Sequence, residues 1–178
     1  MYEAILLLLL ELTPDRTDRA EDPAKRRARL EVAAAGMADA VAAVDYFGDR
    51  EEAAALIAQG DAESNYAAYV GEGRCTEGPA GQRCDPDKHG RPRARTYWQV
   101  WQVTCPRAWA ATPGSREEAR EAAICTLRVM ASGFTRCRKN GYDAWTGAFA
   151  ALKGGASCVT KSAPVRVRKK NALMSRLR

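Results

Sequence analysis

The sequence has a single histidine, no Cys-x-x-Cys pair and no long apolar run, and each absence excludes a class of protein. With His89 as the only imidazole and no closely spaced cysteine pair, a zinc site has too few ligands to begin from. The longest apolar run, Ala4 to Leu10, is too short for a bilayer, which needs about 20 apolar residues. Glu3 precedes the run, Glu11 closes it and no small-residue cleavage site follows, so it does not resemble a signal peptide. We expect no metal, no cofactor, no membrane span and no leader of the chain's own.

The composition is that of one globular domain with a basic surface. Hydrophobic residues make up 46% and charged residues 28% of the 178 positions, which suits a folded core and not a disordered chain. The net charge of +6 favours polyanionic surroundings, which are nucleic acid, anionic lipid or a bacterial cell wall. Because no helix-turn-helix, zinc knuckle or aromatic-basic RNA motif is visible, we expect no specific nucleic-acid partner. Residues 161–178 are interpreted as a basic C-terminal tail, which either holds the protein on an anionic surface or is solvated.

Periodicity indicates helices on either side of one irregular region. Apolar residues recur at three- and four-residue steps from Leu30 to Val44, which predicts a long helix from Pro23 to about Phe47. We assign residues 1–48 to an N-terminal helical extension packed on the core, and residues 49–160 to the main domain. From Val70 to about Arg95 the composition changes to Gly, Pro, Asp and Arg, which predicts a small β or loop lobe. The expected fold class is therefore α+β, mostly α.

Six cysteines, all in the second part of the chain, predict disulfides. An even count without metal spacing is typical of a disulfide framework, with zinc ligands or free buried thiols as the alternatives. Pairing of sequence neighbours joins Cys75 to Cys84, Cys105 to Cys125 and Cys137 to Cys158, which is one of several possible connectivities. Because the cytosol keeps thiols reduced, we expect the protein to work outside the cytoplasm.

Glu63 is the candidate acid of this sequence. Residues 53–66 have a helical pattern in which Leu56 and Gly60 share the face of Glu63. A carboxyl held against apolar neighbours is desolvated, which raises its pKa and leaves it protonated near neutral pH, as a general acid requires. The alternative is that Glu63 only caps or solvates the last helical turn. Ser64 is expected to hydrogen-bond locally and orient Glu63, since His89, the base a serine nucleophile would need, is remote in sequence.

Three short segments resemble the lysozyme-like lytic transglycosylases of the soluble lytic murein transglycosylase type. Residues 63–66 (ESNY) are similar to the family's Glu-Ser motif, and residues 95–101 (RTYWQVW) to the Gly-x-x-Gln segment that lines its sugar cleft. Residues 151–155 (ALKGG) are similar to its Ala-Tyr-Asn-x-Gly segment. The chain departs from the family at Thr96, which stands where relatives have glycine, and at Leu152, which replaces a tyrosine.

The resemblance implies a lysozyme-like fold, with residues 49–160 as the catalytic domain, and cleavage of the β-1,4 bond between N-acetylmuramic acid and N-acetylglucosamine in peptidoglycan strands. It implies that Glu63 acts first as acid and then as base, while the substrate's N-acetyl group or 6-hydroxyl supplies the nucleophile. Aromatic faces would carry sugar rings and an amide would bond an N-acetyl group, although the tryptophans could equally be core. The expected substrate-binding residues are Ser64, Tyr97, Trp98, Gln99 and Trp101.

Three other functions are weighed against this one. A glycoside hydrolase would need a second carboxylate, for which the sequence singles out none of the candidates Glu72, Glu77, Asp85, Asp87 and Asp143. A virion or cell-wall-binding protein that kept the fold without catalysis is the main alternative, and nucleic-acid binding rests on charge alone. Disulfides without a leader suit a bacteriophage protein, delivered to the cell wall or packed in a virion, with other phage structural proteins as further partners.

Overall fold

Helices make up most of the chain that the computed structural model describes, which is residues 1–13, 21–71, 88–89, 92–154 and 156–177. A short antiparallel hairpin, β1 (Ala94–Arg95) and β2 (Val100–Trp101), pairs Ala94 with Trp101 and Arg95 with Val100. The α+β, mostly α class predicted from the sequence is confirmed. The helices are α1 (Tyr2–Leu12), α2 (Pro23–Ala43), α3 (Asp49–Ser64), α4 (Ala68–Gly71), α5 (Pro106–Ala110), α6 (Arg116–Lys139), α7 (Ala144–Ala151) and α8 (Ala163–Met174).

Local capping explains where the long helices begin. The carboxylate of Asp22 accepts hydrogen bonds from the backbone N–H groups of residues 24 and 25, with Pro23 at the first helical position of α2. Ser115 caps α6 and Asp143 caps α7 in the same way. Helix α2 ends at Ala43, a few residues earlier than predicted, because the backbone turns extended at residue 44.

One hydrophobic core joins the helices. Helix α2 packs along α6, α1 packs on α2 and α3, and α7 and α8 complete the cluster. Leu9 from α1 and Met37 from α2 are fully buried in the same core as Leu56 from α3 and Met130 from α6. The core therefore crosses the boundary at residue 48 that the sequence analysis drew between an extension and the main domain.

The basic C-terminal segment is a docked helix and not the tail that the sequence suggested. Helix α8 packs against α3 and α7. Arg166 and Lys170, two of the residues that suggested a tail, are buried. The Lys170 Nζ lies 3.1 Å from Glu51 Oε1 and 3.9 Å from the centre of the Trp145 ring. These partners offset the free-energy penalty of burying the ammonium. The hydrophobic periodicity of the sequence does not reveal such partners.

Two of the three predicted disulfides are confirmed. Cys105 joins Cys125, which ties the start of α5 to α6, and Cys137 joins Cys158, which ties the end of α6 to the segment before α8. The third predicted pair, Cys75 with Cys84, lies outside the described residues, as does most of the expected loop lobe. Within the described ranges, no helix combines the length and the apolar character that crossing a bilayer requires.

Candidate functional site

A cleft of about 810 Å³ lies between the end of α3, the β1–β2 hairpin, the middle of α6 and the segment after α7. Glu63 lines it from α3, Gln99 and Trp101 line it from the hairpin, and Lys153 lines it from beyond α7. The three segments that carry the family resemblance therefore contribute to one surface, although the first and the last are about 90 residues apart. The tertiary structure brings together what the sequence suggested separately.

Glu63 occupies the last turn of α3. The helix ends because Asn65 adopts a left-handed backbone conformation, with a φ of 48°, and Tyr66 follows with a φ of 54°. Ser64 is fully buried: its hydroxyl donates to the Gly60 carbonyl oxygen at 2.7 Å and accepts from the Tyr66 N–H at 3.0 Å. These bonds hold the helix end, as expected for Ser64. Its burial corrects the prediction that Ser64 contacts substrate.

Three donors converge on one oxygen of the Glu63 carboxylate. Oε1 lies 2.7 Å from an Arg166 Nη, 3.0 Å from the Lys153 Nζ and 3.3 Å from the Gln59 Nε2. Among the described residues, no hydrogen-bond partner contacts the other oxygen, Oε2. Oε1 is thus held by two cations and an amide, while the described residues give Oε2 no hydrogen-bond donor.

The surroundings of Glu63 lower the pKa that the sequence analysis expected to be raised. Burial acts to raise the pKa, but the charge of Arg166 and the hydrogen bond and charge of Lys153 together outweigh it, so the pKa falls below its ordinary value. The expected protonated carboxyl in apolar surroundings is therefore wrong for this structure. The reason for the error is that the helical face shared by Leu56 and Gly60 takes no account of Arg166 and Lys153, which reach Glu63 from distant parts of the chain.

Arg166 is the fixed cation of this site. Its side chain is only 7% exposed, and its Nη1 donates to the Gln59 Oε1 at 2.6 Å while Gln59 donates onward to Glu63. A second ion pair, Lys169 with Asp61, ties α8 to α3 beside it. Arg166 and Gln59 were both missed by sequence reasoning. Helical spacing could have found Gln59, which lies four residues before Glu63, but the sequence carries no signal that Arg166 reaches this site.

The aromatic residues of the second motif have different environments. Trp101 is 53% exposed on the cleft rim. Trp98 lines the cleft but is only 3% exposed, and its indole N–H donates to the Leu56 carbonyl oxygen at 2.9 Å. Tyr97, in the turn between β1 and β2, is buried: its hydroxyl accepts from Arg29 at 2.8 Å and its ring packs on Tyr66. Of these three aromatic residues, only Trp101 has an exposed ring, which corrects the expectation that Tyr97 and Trp98 also carry sugar rings.

Gln99 lines the cleft and also shapes the hairpin turn. Its Nε2 donates to the Thr96 carbonyl oxygen at 2.9 Å, and its backbone N–H donates to the same oxygen at 3.1 Å. Both residues have positive φ angles, 66° at Thr96 and 53° at Gln99. Thr96 therefore has a backbone conformation that favours glycine. It stands at the position where the family that this segment resembles has glycine.

Glu63 is the only carboxylate among the described residues that line the cleft. Asp143, one of the candidates for a second carboxylate, caps α7 by accepting from the Thr146 N–H at 2.7 Å. The remaining candidates, Glu72, Glu77, Asp85 and Asp87, lie outside the described residues. The described residues also contain no group of three or more His, Cys, Asp or Glu side chains arranged to hold a metal ion.

Comparisons of this chain with protein-family models, with curated proteins and with solved structures found no match. Its function is therefore inferred from the residues of the cleft, their geometry and their charges.

Proposed function

We propose that the protein cleaves the β-1,4 bond between N-acetylmuramic acid and N-acetylglucosamine in peptidoglycan strands, as a lytic transglycosylase with a lysozyme-like fold. The observation that carries the proposal is that residues 63–66, 95–101 and 151–155, the three segments that resemble the family, all contribute to one cleft around Glu63. The glycine-type backbone of Thr96 adds support, because the turn has the shape that a glycine in the second motif would serve.

Among the described residues, the cleft lining supplies one carboxylate, which favours transglycosylation over hydrolysis. Hydrolases use two carboxyl groups, one as acid and one as nucleophile or base. In the proposed reaction, Glu63 donates its proton to the glycosidic oxygen and the bond from that oxygen to C1 of the muramic sugar breaks. The 6-hydroxyl of the same sugar then attacks C1 and returns its proton to Glu63. The product carries a 1,6-anhydro ring, no water is consumed, and Glu63 ends protonated as it began.

The Oε2 atom is the suitable place for the transferred proton. Oε1 is occupied by Arg166, Lys153 and Gln59, so a proton on that oxygen would displace a donor. Because the pKa of Glu63 is lowered, the protonated form is the minor one at neutral pH and grows as the pH falls. The rate of cleavage is therefore expected to rise from pH 7 toward mildly acidic pH.

The exposed ring of Trp101 is suited to stack on a sugar, and Gln99, whose amide nitrogen bonds the Thr96 carbonyl oxygen, lines the cleft with it. The two disulfides suit an oxidising compartment. We accordingly propose that the protein works at a cell wall or in a virion, with peptidoglycan strands as its partner. If it is a bacteriophage protein, phage structural proteins would be further partners.

Glu63→Gln tests the proposal. The amide keeps the size of the side chain and an oxygen that accepts from Arg166 and Lys153, but it cannot donate an acid proton. Asp61→Asn is the matched control, because Asp61 is also on α3, is also ion-paired to α8 and lies outside the cleft lining. Each protein is incubated with purified peptidoglycan and the released fragments are identified by mass spectrometry.

We expect 1,6-anhydro-muramyl fragments from the wild-type protein and from Asp61→Asn, and none from Glu63→Gln. Fragments with reducing ends would mean a hydrolase with a second carboxylate. If correctly folded wild-type protein released nothing from the walls of several bacteria, the enzymatic proposal would be wrong.

One observation favours a second candidate, a glycan-binding virion or cell-wall protein without catalysis. Arg166 and Lys153 stabilise the charged form of Glu63, which opposes its use as an acid. Such a protein would sediment with peptidoglycan without releasing fragments, and Glu63→Gln would bind as well as the wild type.

A further inference from the structure

We propose that Lys153 selects glycans that carry a carboxylate beside the cleaved bond, by exchanging its ion pair with Glu63 for an ion pair with the substrate. The inference rests on the proposed function and adds to it a substrate feature and a residue that recognises it.

The two cations on Glu63 differ in how firmly they are held. The Arg166 side chain is 7% exposed and also bonds Gln59, whereas the Lys153 side chain is 46% exposed. Within the described part of the chain, Glu63 is the one side chain that Lys153 contacts through a hydrogen bond or ion pair. Arg166 is thus a permanent neighbour, while the exposed ammonium of Lys153 on its flexible stem can move to another anion.

Lys153 is also placed to meet a substrate. It follows the end of α7 in a turn where Gly154 has a φ of 80°, and both residues line the cleft. It is the only cationic side chain among the described residues of the cleft lining. A muramic sugar differs from N-acetylglucosamine by a lactyl ether. Where no stem peptide is amide-linked to it, the lactyl carboxylate is an anion of the kind that an ammonium binds. A neutral glycan of the same backbone offers Lys153 nothing in exchange for Glu63.

The exchange links recognition to proton transfer. The charged groups that contact Glu63 from the described elements are Arg166 on α8 and Lys153 after α7, and Gln59 contacts it as a neutral donor from α3 itself. When Lys153 turns to the substrate, Glu63 loses one of its two cations and gains an anion nearby. Both changes favour the protonated carboxyl. An ionised carboxylate in the free protein would thus become an acid when an anionic glycan is bound.

The test compares two ligands that differ only in charge. Glycan strands freed of their peptides carry lactyl carboxylates, and the same strands converted to methyl amides do not. Binding is measured by calorimetry, and cleavage rates are measured from pH 4.5 to 8, for the wild-type protein, Lys153→Met and Lys153→Arg. Lys161→Met is the control, since it removes an exposed lysine outside the cleft lining.

We expect the wild-type protein to bind the carboxylate strands about tenfold more tightly than the amidated ones. This factor corresponds to the lower end of the range of free energies that a hydrogen bond to a charged group contributes. Lys153→Met should bind both alike, Lys153→Arg should keep most of the preference, and Lys161→Met should behave as the wild type. On the amidated strands, the pH profile of cleavage by Lys153→Met should lie at higher pH than that of the wild type. A purely structural role of Lys153 would not move this profile.

The outcomes separate this inference from the proposed function. If Lys153→Met cleaves peptidoglycan with the wild-type preference for carboxylates and the wild-type pH profile, the inference is overturned and the proposed function stands. If no protein cleaves but the wild type prefers carboxylate strands and Lys153→Met does not, the selective role stands and the enzymatic function falls. If the wild type binds neither strand, both are overturned.

Discussion

Arg166→Met is the substitution that tests most directly how the candidate site is built into the fold. Arg166 lies 2.7 Å from Glu63, and the two side chains are 7% and 18% exposed, so the pair is largely buried. Breaking a buried pair by removing one partner costs about 3 to 5 kcal/mol, because the other charge is left uncompensated. Since Lys153 still contacts Glu63 and methionine fills much of the arginine stem, we expect a loss near the lower end, about 3 kcal/mol. For a chain of this size that lowers the Tm by about 6 to 12 °C.

The loss should depend on pH in a defined direction. The pKa of Glu63 in the folded protein is lowered from its ordinary value of 4.5, because the charges of Arg166 and Lys153 outweigh burial. A lowered folded pKa contributes stability that is present above the unfolded pKa and is lost as the pH falls through the folded value. The difference between the wild type and Arg166→Met should therefore be full at pH 7 and shrink as the pH falls below 4.5.

Guanidinium denaturation followed by circular dichroism, with the disulfides intact, measures the free energy of unfolding at pH 7 and at a pH below 4.5. The double variant Glu63→Gln/Arg166→Met is the control: it removes the stranded charge and should recover part of the loss. A loss of the same size at every pH would mean that Arg166 contributes through packing, and the electrostatic reasoning would be refuted. A loss below about 0.5 kcal/mol would refute the buried pair itself.

Three further predictions concern the cleft wall and the core. Trp101→Ala should weaken glycan binding by roughly tenfold in calorimetry and change the free energy of unfolding by no more than about 0.5 kcal/mol. Trp98→Ala should lower the free energy of unfolding by about 3 to 5 kcal/mol. Similar losses of stability in both variants would contradict the assignment of the Trp101 ring to the cleft rim and the Trp98 ring to the core. Gly133→Ala should destabilise by about 2 kcal/mol in spite of alanine's better helix propensity, because the added methyl would lie 2.6 Å from a backbone oxygen of α7. An unchanged Tm would show that α6 and α7 do not approach so closely. Replacing Cys137 and Cys158 by serine should lower the free energy of unfolding by about 3 kcal/mol, because the disulfide no longer restricts the loop between them in the unfolded chain. A denaturation midpoint equal to that of the wild type would exclude this bond.

Features that depend on neighbouring residues could be predicted from the sequence. The caps at Asp22, Ser115 and Asp143 act within three residues, so local residue types are enough to place them. The disulfide from Cys105 to Cys125 joins sequence neighbours among the cysteines, for which the loop to be closed is short. The order of the three motif segments along the chain also predicts one cleft.

The chemistry of the site was decided only by the tertiary structure. The pKa of Glu63 depends on charges within a few ångströms, and Lys153 is 90 residues away along the chain, while Arg166 is on a helix that resembled a solvated tail. Likewise, Trp98 and Trp101 belong to one short motif, yet one is buried and the other exposed. Sequence determined which residues could act here. The docking of α8 and the turn at Thr96 determined which of them meet the cleft and in what charge state, because electrostatic fields and burial depend on distance in space and not on distance along the chain.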